Sequence, residues 1–174
     1  MYIIVGLGNP GDKYTDTRHN AGRLAAEYIS KSRNLAAKFI VPDNFMNKSG
    51  NSIVKVIKNK KAAEKLIVIH DDLDLPLGVT KISYNRGSGG HRGVESIIRM
   101  LKTEAFIRVR IGISPTIASG KMKKPKGEKE VEKFILSDFK PQEIKKLKEI
   151  FKKVSAAIFK ITEEGLAPAM TEFN

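Results

Sequence analysis

Two apolar runs without polar alternation, at residues 2–7 and 66–69, constrain the fold more than any other feature of this sequence. Such runs are expected for strands that helices cover on both faces. A third segment, residues 107–113, alternates with a period of two and predicts a strand with Arg108 and Arg110 on one face. Segments with helical spacing separate these strands. The fold class is therefore predicted to be α/β, with three α/β/α layers around a twisted, mixed, largely parallel sheet.

Shorter patterns place the remaining elements within one domain that spans residues 1–174. Apolar residues at helical spacing predict helices at residues 21–29, 53–57, 94–101 and 141–162. Further strands are expected at residues 38–41 and 79–84. Residues 114–130 are rich in Gly, Pro, Ser and Lys, a composition typical of a mobile surface segment.

The charge balance narrows the class of partner. The chain carries 32 Lys and Arg against 19 Asp and Glu, and this net charge of +13 points first to nucleic acid. The absence of cysteine excludes a disulfide framework, a thiolate nucleophile and Cys-ligated zinc. The first residues lack a signal-peptide pattern, and no apolar run approaches the roughly 20 residues of a membrane span. We expect a soluble, cytoplasmic protein without a membrane partner.

The stretch after the first apolar run has glycines at the G-x-G-x-x-G spacing of a dinucleotide-binding turn, at Gly6, Gly8 and Gly11. That turn requires a helix directly after the glycines and an acidic residue about 20 positions later. Pro10 disfavours a helical conformation at Asn9, and the residues that follow lack apolar periodicity. The glycines are therefore expected to shape a turn that exposes the Asn9 side chain at the carboxyl end of the first strand.

Polar residues at the carboxyl ends of two predicted strands form the candidate site, because ligands of open α/β sheets bind there. Asn9 follows the first strand, Asp71 follows another, and His19 precedes the first helix. His19 with Asp71 is a candidate general base with its orienting carboxylate, and water would be the nucleophile. Residue types alone leave two other interpretations open. His19 could cap a helix beside solvated aspartates, or a metal could bind at His70, Asp71, Asp72 and Asp74.

Four separated motifs carry the most specific information in this sequence. They are GLGNPG at residues 6–11 with Tyr14 and TRHNAG at 17–22, FMNKSG at 45–50, HDDLDLPLG at 70–78, and GSGGHRG at 87–93. Their identity, order and approximate spacing resemble those of bacterial-type peptidyl-tRNA hydrolases. The likeness continues through residues 106–113 and 134–136, so it covers nearly the whole chain.

The resemblance implies a phosphorylase/hydrolase-like fold and hydrolysis of the ester that joins a peptide to the ribose of tRNA, without a metal or an organic cofactor. His19 would be the general base, Asp71 its hydrogen-bonded partner, and Asn9 and Asn47 the amides that hold the peptide and the ester carbonyl. An ester needs an activated water and donors aimed at the developing oxyanion, so this activity fits the residues. The further substrate-binding residues that it implies are Tyr14, Asn20, Met46, His91 and Arg92.

The resemblance also assigns the basic surface to tRNA. Arg110 matches a position that contacts the 5′ phosphate, and such contacts provide affinity without reading sequence. The second basic residue of that site falls on Ser83, so Lys81 or Arg86 would replace it. Residues 114–130 match a mobile lid, with Lys121, Lys123, Lys124 and Lys126 available to the acceptor stem.

Two further departures from the family pattern keep an alternative function open. Arg92 stands where the family usually has an asparagine, and the segment between Asn20 and Phe45 is shorter than expected. An amide that donates and accepts is thus replaced by a permanently charged donor. The alternative is a non-catalytic RNA-binding protein on the same fold, and a nucleotide-dependent oxidoreductase is a third possibility. A monomer is expected.

Overall fold

The computed structural model describes residues 1–31 and 35–174. The strands in these ranges are β1 (Tyr2–Gly6), β2 (Ala37–Ile40), β3 (Leu66–Pro76), β4 (Thr80–Tyr84) and β5 (Ile107–Ser114). The helices are α1 (Ala21–Ser30), α2 (Ser49–Ile53), α3 (Lys60–Ala63), α4 (Arg92–Leu101), α5 (Glu128–Ile135), α6 (Pro141–Glu164) and α7 (Leu166–Phe173). Short 3₁₀ turns lie at Asp12–Tyr14, Arg18–Asn20 and Met46–Lys48.

The described strands form one sheet in the order β2-β1-β3-β5-β4. All neighbouring strands are parallel except β4 and β5, which are antiparallel. Alternate residues of β3 face opposite layers: Ile67 and Ile69 pack with α1, α6 and α7, and Leu66 and Val68 pack with α2 and α4. The predicted α/β fold, with helices on both faces of a mixed and mostly parallel sheet, is confirmed.

The structure corrects several predicted elements. β3 does not end at Ile69 but continues to Pro76, and a register shift interrupts its pairing with β5 between Asp72 and Pro76. The helix predicted at residues 53–57 instead covers Ser49–Ile53, because the β-branched residues after it form turns. α5 and α7 were not predicted. The final long helix extends two residues beyond its predicted end at position 162.

Close contact between α1 and the sheet depends on glycine. A Cβ atom at Gly22 would lie 2.1 Å from the backbone oxygen of Ile69, and one at Gly6 would lie 2.4 Å from Cβ of Ala26. α1 begins at Ala21, well after Gly11, so the glycines of the first motif do not open a helix directly. The first motif therefore forms a turn, as the sequence predicts, and Gly6 in it lets α1 approach β1 closely. The sequence also predicts an exposed Asn9 side chain, but Asn9 is buried.

The described residues contain no helix that is both long enough and apolar enough to cross a membrane.

We expect Gly22→Ala to lower the free energy of unfolding by about 1–3 kcal/mol, because the added methyl group has no space against the Ile69 carbonyl. Gly87→Ala is the matched control, since its Cβ would meet only the Glu104 carboxylate at 3.9 Å. The control should change stability by less than about 0.5 kcal/mol. Urea denaturation measures both, and equal effects of the two substitutions would contradict this packing argument.

Candidate active site

The carboxyl ends of β1 and β3 bring the predicted base and its carboxylate together. β1 ends at Gly6, which pairs with Ile69, so β3 extends past it and places Asp71 beyond the edge of β1. His19 lies in the 3₁₀ turn that leads into α1. Its Nδ1 atom is 3.0 Å from each carboxylate oxygen of Asp71, and both side chains are buried. This contact supports the predicted pairing of His19 with Asp71.

His91 approaches the same carboxylate from the other layer of the fold. Its Nε2 atom lies 2.8 Å from Oδ1 of Asp71. Its Nδ1 atom accepts hydrogen bonds from the backbone N–H groups of Gly93, at 3.2 Å, and Val94, at 3.3 Å, and so caps the N-terminus of α4. An acceptor nitrogen cannot carry the ring proton, so the proton of neutral His91 is on Nε2 and is donated to Asp71.

The two histidines decide the charge state of Asp71. Burial by itself would raise the pKa of this carboxyl, but His19 and His91 outweigh burial and hold the pKa well below its usual range. The ionised carboxylate only accepts hydrogen bonds, which places the His19 proton on Nδ1. Nε2 of His19 therefore keeps its lone pair for a proton from the cleft. His91 has no such free nitrogen, so the geometry distinguishes His19, the predicted base, from its neighbour.

Asn9 is held with one side of its amide available for donation. Its backbone N–H donates to Oδ1 of Asn20 at 2.8 Å, and Nδ2 of Asn20 donates to the Asn9 carbonyl at 3.0 Å. The Asn9 Oδ1 atom accepts from the Met46 backbone N–H at 2.8 Å. Nδ2 of Asn9 is then the group that can donate to a substrate. Asn20 fixes the backbone of Asn9, a role that the sequence did not indicate.

A cleft of about 770 Å³ opens over this cluster. Two of the predicted site residues, Asn20 and Lys81, do not line the cleft. The other predicted site residues line it: Asn9, Tyr14, His19, Met46, Asn47, Asp71, Arg86, His91, Arg92 and Arg110. Sequence reasoning missed the wall that α5 provides through Glu128, Val131, Glu132 and Ile135. The motif at residues 134–136 was the available signal for this wall.

Arginines gather along one part of the cleft. Arg108 is buried and donates to the Gly87 carbonyl at 2.9 Å. Burial lowers the pKa of Arg108, and the positive charges of Arg110 and Arg86 lower it further. Nε of Arg110 lies 2.7 Å from the carboxylate of Asp72. These neighbouring positive charges repel one another, and a bound anion would reduce that repulsion.

Two other ion pairs border the cleft. Arg92 donates to Glu128 at 3.2 Å and so joins the start of α4 to the start of α5, with both side chains well exposed. Lys124 pairs with Asp74 and joins the segment before α5 to β3. Exposed pairs of this kind contribute little to stability, so these connections can exchange for contacts with a ligand.

The donor set of the cluster does not suit a metal ion. Nδ1 of His19, a carboxylate oxygen of Asp71 and Nε2 of His91 lie within 4.8 Å of one another, a spacing that a metal could use. Metal binding would remove the Nε2 proton of His91, while the N–H groups of α4 require Nδ1 to lack one. The predicted alternative set does not converge either, because Asp72 pairs with Arg110 and Asp74 with Lys124.

His70 completes the cluster. Its ring meets the His91 ring edge to face, with centroids 4.7 Å apart, and its Nδ1 atom lies 2.7 Å from the backbone oxygen of Asp71. Burial lowers the pKa of His70 well below its usual value, so the ring is neutral at pH 7. It donates from Nδ1 to the Asp71 carbonyl, and its ring packs against the ring of His91.

Comparison with known proteins identifies the family. Residues 3–174 match the family described as peptidyl-tRNA hydrolase. The chain belongs to the peptidyl-tRNA hydrolase family. Among relatives named peptidyl-tRNA hydrolase, the one from Thermodesulfovibrio yellowstonii is 38% identical over 195 residues, covering 100% of this chain and 99% of the relative. The one from Caldicellulosiruptor saccharolyticus is 39% identical over 193 residues, covering 99% and 96%.

A solved structure supports the same family membership. The crystal structure of peptidyl-tRNA hydrolase from Acinetobacter baumannii superposes with a TM-score of 0.84 at 26% identity, covering 100% of this chain and 94% of that one. None of these comparisons supports the predicted alternative of a non-catalytic RNA-binding protein. The alignment of 195 residues exceeds the 174 residues of this chain, so the relative has residues that this peptidyl-tRNA hydrolase family member lacks.

The depressed pKa of Asp71 predicts how stability depends on pH. Its stabilising contribution is fully present above the unfolded pKa of about 3.9 and is lost as the pH falls from there toward the folded value. Asp71→Asn should therefore reduce the slope of unfolding free energy against pH between pH 2 and 4, by up to about 1.4 kcal/mol per pH unit. Denaturant titrations at a series of pH values measure this slope. The exposed Asp74→Asn is the control, and an equal loss of slope in both variants would contradict the prediction.

Proposed function

We propose that this protein hydrolyses the ester that joins a peptide to the 3′ ribose of tRNA, releasing the peptide and free tRNA. The observation that carries the proposal is the His19–Asp71 pair at the floor of the cleft, in a chain of the peptidyl-tRNA hydrolase family. A base with a free Nε2 atom and an amide donor beside it form a sufficient set for attack by water on an ester.

The proposed reaction begins with proton transfer from water to Nε2 of His19 as the water oxygen attacks the ester carbonyl. The carboxylate of Asp71 stabilises the resulting imidazolium through Nδ1. Nδ2 of Asn9 and the amide of Asn47 donate hydrogen bonds to the peptide and to the oxyanion. The imidazolium then returns its proton to the ribose oxygen as the carbon–oxygen bond breaks. The products are a peptide carboxylic acid and the tRNA hydroxyl.

The lining of the cleft suits a substrate with two different ends. Tyr14 and Phe45 meet edge to face with centroids 6.2 Å apart, and Met46 and Ile135 add further apolar surface. These side chains suit a peptide of varied sequence, because apolar contacts are tolerant of shape. We assign Arg92, on the same lining, to contact with the substrate.

The arginines of the cleft are the proposed site for tRNA phosphate. Arg110 and Arg86 both line the cleft, and Arg86 is exposed. Lys81 lies opposite Arg110 in the β4–β5 ladder, and Ser83 lies opposite Arg108. Arg86 lines the cleft whereas Lys81 does not, so Arg86 is the better placed of the two predicted replacements for the missing basic residue. Asp72 must share Arg110 with the phosphate, which is possible because a guanidinium has several donors.

The proposed substrate also suggests where the protein acts and in which oligomeric state. We propose that it acts in the cytoplasm, where peptidyl-tRNA is formed, and that it acts as a monomer, because one chain supplies the base, the carboxylate and the amide donors of the cleft.

Deacylation of an N-acetyl-aminoacyl-tRNA tests the proposed activity. The wild-type protein should release the acetylated amino acid and spare the same tRNA with a free amino group. His19→Ala should lose about 10²–10⁴-fold in kcat, because it lacks the base. Circular dichroism and tRNA binding serve as the control for folding. Turnover by His19→Ala at the wild-type rate would contradict the assignment of the base, and a folded wild-type protein that binds tRNA without turnover would contradict the activity.

The salt dependence of tRNA binding tests the phosphate site. We expect Arg110→Gln to lower the slope of log K against log salt concentration by about 0.9, because one phosphate contact is lost. Arg99 on α4 is exposed and lies outside the cleft lining among the described residues, so Arg99→Gln is the matched control. An unchanged slope for Arg110→Gln would remove Arg110 from the phosphate site.

A further inference from the structure

Arg18, the residue before His19, makes several buried contacts that the proposed reaction does not use. Its side chain is only 5% exposed. Nη1 donates to the Ser137 hydroxyl at 2.6 Å and to the Asp138 carbonyl at 2.6 Å. Nη2 lies 2.6 Å from the carboxylate of Glu143. Nη1 also donates to the Ser137 carbonyl at 3.2 Å, so one guanidinium has four acceptors in three residues that lie more than 100 residues away in the sequence.

These contacts join the turn that holds the base to the junction of α5 and α6. The Arg18 backbone N–H donates to the Ser137 carbonyl at 3.1 Å, and the Phe139 N–H donates to the Asp16 carbonyl at 2.9 Å. Glu143 also accepts from the Lys140 N–H at 2.6 Å, which caps the N-terminus of α6. Arg18 therefore connects the base directly to the beginning of α6.

The same junction ends one wall of the cleft. α5 lines the cleft through Val131 and Ile135, and every residue of α5 is at least partly exposed to solvent. Phe134 and Ile135, near the end of α5, pack against the core, and no residue of the helix is fully buried. Its position therefore depends largely on the contacts at its two ends. At its start it has the exposed Arg92–Glu128 pair, and at its end it has the buried Arg18 contacts. The buried contacts of α5 are thus at its C-terminal end, where Arg18 connects it to the turn that holds His19.

Only arginine has the chemistry for this position. The Arg18 guanidinium lies over the rings of Phe134, 4.7 Å from the centroid, and Phe139, 5.5 Å from the centroid. A planar guanidinium can stack on aromatic rings and donate in two directions at once. A lysine would keep the positive charge and lose the fork, so it would satisfy fewer of the four acceptors.

We propose that Arg18 is a positioning residue that fixes His19 and the α5 wall in one relative geometry, so that substrate held against α5 meets the base at the correct distance. Arg18 does not touch the reacting atoms and acts through its chain neighbour His19 and through Ser137. The inference rests on the proposed function, because it assigns the base to His19. It goes beyond that function because it names the connection that makes the base and the wall a single unit.

Steady-state deacylation by Arg18→Lys tests this role. A misplaced base should lower kcat by about 10-fold or more while KM stays within about twofold, because ground-state binding is retained. Arg23→Lys is the matched control, since Arg23 is also a hydrogen-bonded arginine near the site, with bonds to Pro42 and Glu27. Both constants should stay within about twofold in that control. A kcat close to wild type, or a rise in KM alone, would overturn the proposal even if Tm falls.

A second variant guards against misfolding of Arg18→Lys. Glu143→Ala removes the Oε2 atom that accepts both from Nη2 of Arg18 and from the Lys140 N–H, and it leaves the aromatic stacking of Arg18 intact. It should lower kcat several-fold with an unchanged KM. A wild-type kcat in this folded variant would overturn the proposal if Arg18→Lys could not be purified.

A crystal structure of a folded variant, Arg18→Lys or otherwise Glu143→Ala, separates this proposal from the proposed function. The distance between Nδ1 of His19 and Asp71 should exceed hydrogen-bond length or the His19 ring should occupy two positions. Wild-type geometry at His19 would overturn the positioning role whatever the activity. Absence of turnover in the wild-type protein would overturn the proposed function and leave this structural result to decide the role of Arg18.

Discussion

The carboxylate of Asp71 accepts hydrogen bonds from two histidines that stand at the beginnings of helices in opposite layers of the fold. His19 precedes α1 on one face of the sheet, and His91 caps α4 on the other. Burying a single carboxylate is unfavourable unless donors surround it. Two N–H donors meet that requirement and keep the group ionised. The site therefore depends on one buried charge that both layers must reach.

The N-terminus of α4 determines which ring nitrogen of His91 carries the proton. Its free N–H groups occupy Nδ1 of His91 and so leave Nε2 as the only nitrogen that can carry the proton. His91 then serves Asp71 as a donor, and His19 is the histidine with a nitrogen free for the substrate. The hydrogen-bonding requirement of the unpaired N–H groups at a helix N-terminus thus favours His19 over His91 as the proposed base. The same argument explains why three adjacent metal-type ligands form a poor metal site.

The sequence predicted the parts of this site that follow from strand ends. Asn9 and Asp71 come after apolar runs, and parallel strands bring their carboxyl ends to one edge, so their proximity to His19 could be expected. The role of Asn20 could not, because its amide binds the backbone of Asn9 and a backbone contact leaves no side-chain pattern. The sequence predicted His91 as a substrate contact. It could not show the hydrogen bond from His91 to Asp71, because that depends on the position of His91 at the N-terminus of α4.

There are also physical reasons why the sequence did not predict some of the elements. α5 has no fully buried residue, and its apolar residues Val131, Phe134 and Ile135 cover only about one turn, which is a short signal for a helix in sequence. β3 continues through the acidic cluster because β5 pairs with it there, and long-range pairing overrides local polarity. Ile53–Ile57 had helical spacing but ended α2 instead of forming it. Local pattern was sufficient where burial was periodic and failed where distant contacts decided the structure.

The protonation of the histidine rings tests the central claim most directly. Long-range proton–nitrogen correlation spectra of the ¹⁵N-labelled protein, recorded at pH 8 to favour neutral rings, distinguish the two nitrogens of each imidazole. The account predicts a proton on Nδ1 of His19 with a bare Nε2, and a proton on Nε2 of His91 with a bare Nδ1. A spectrum with the His91 proton on Nδ1, or the His19 proton on Nε2, would contradict it.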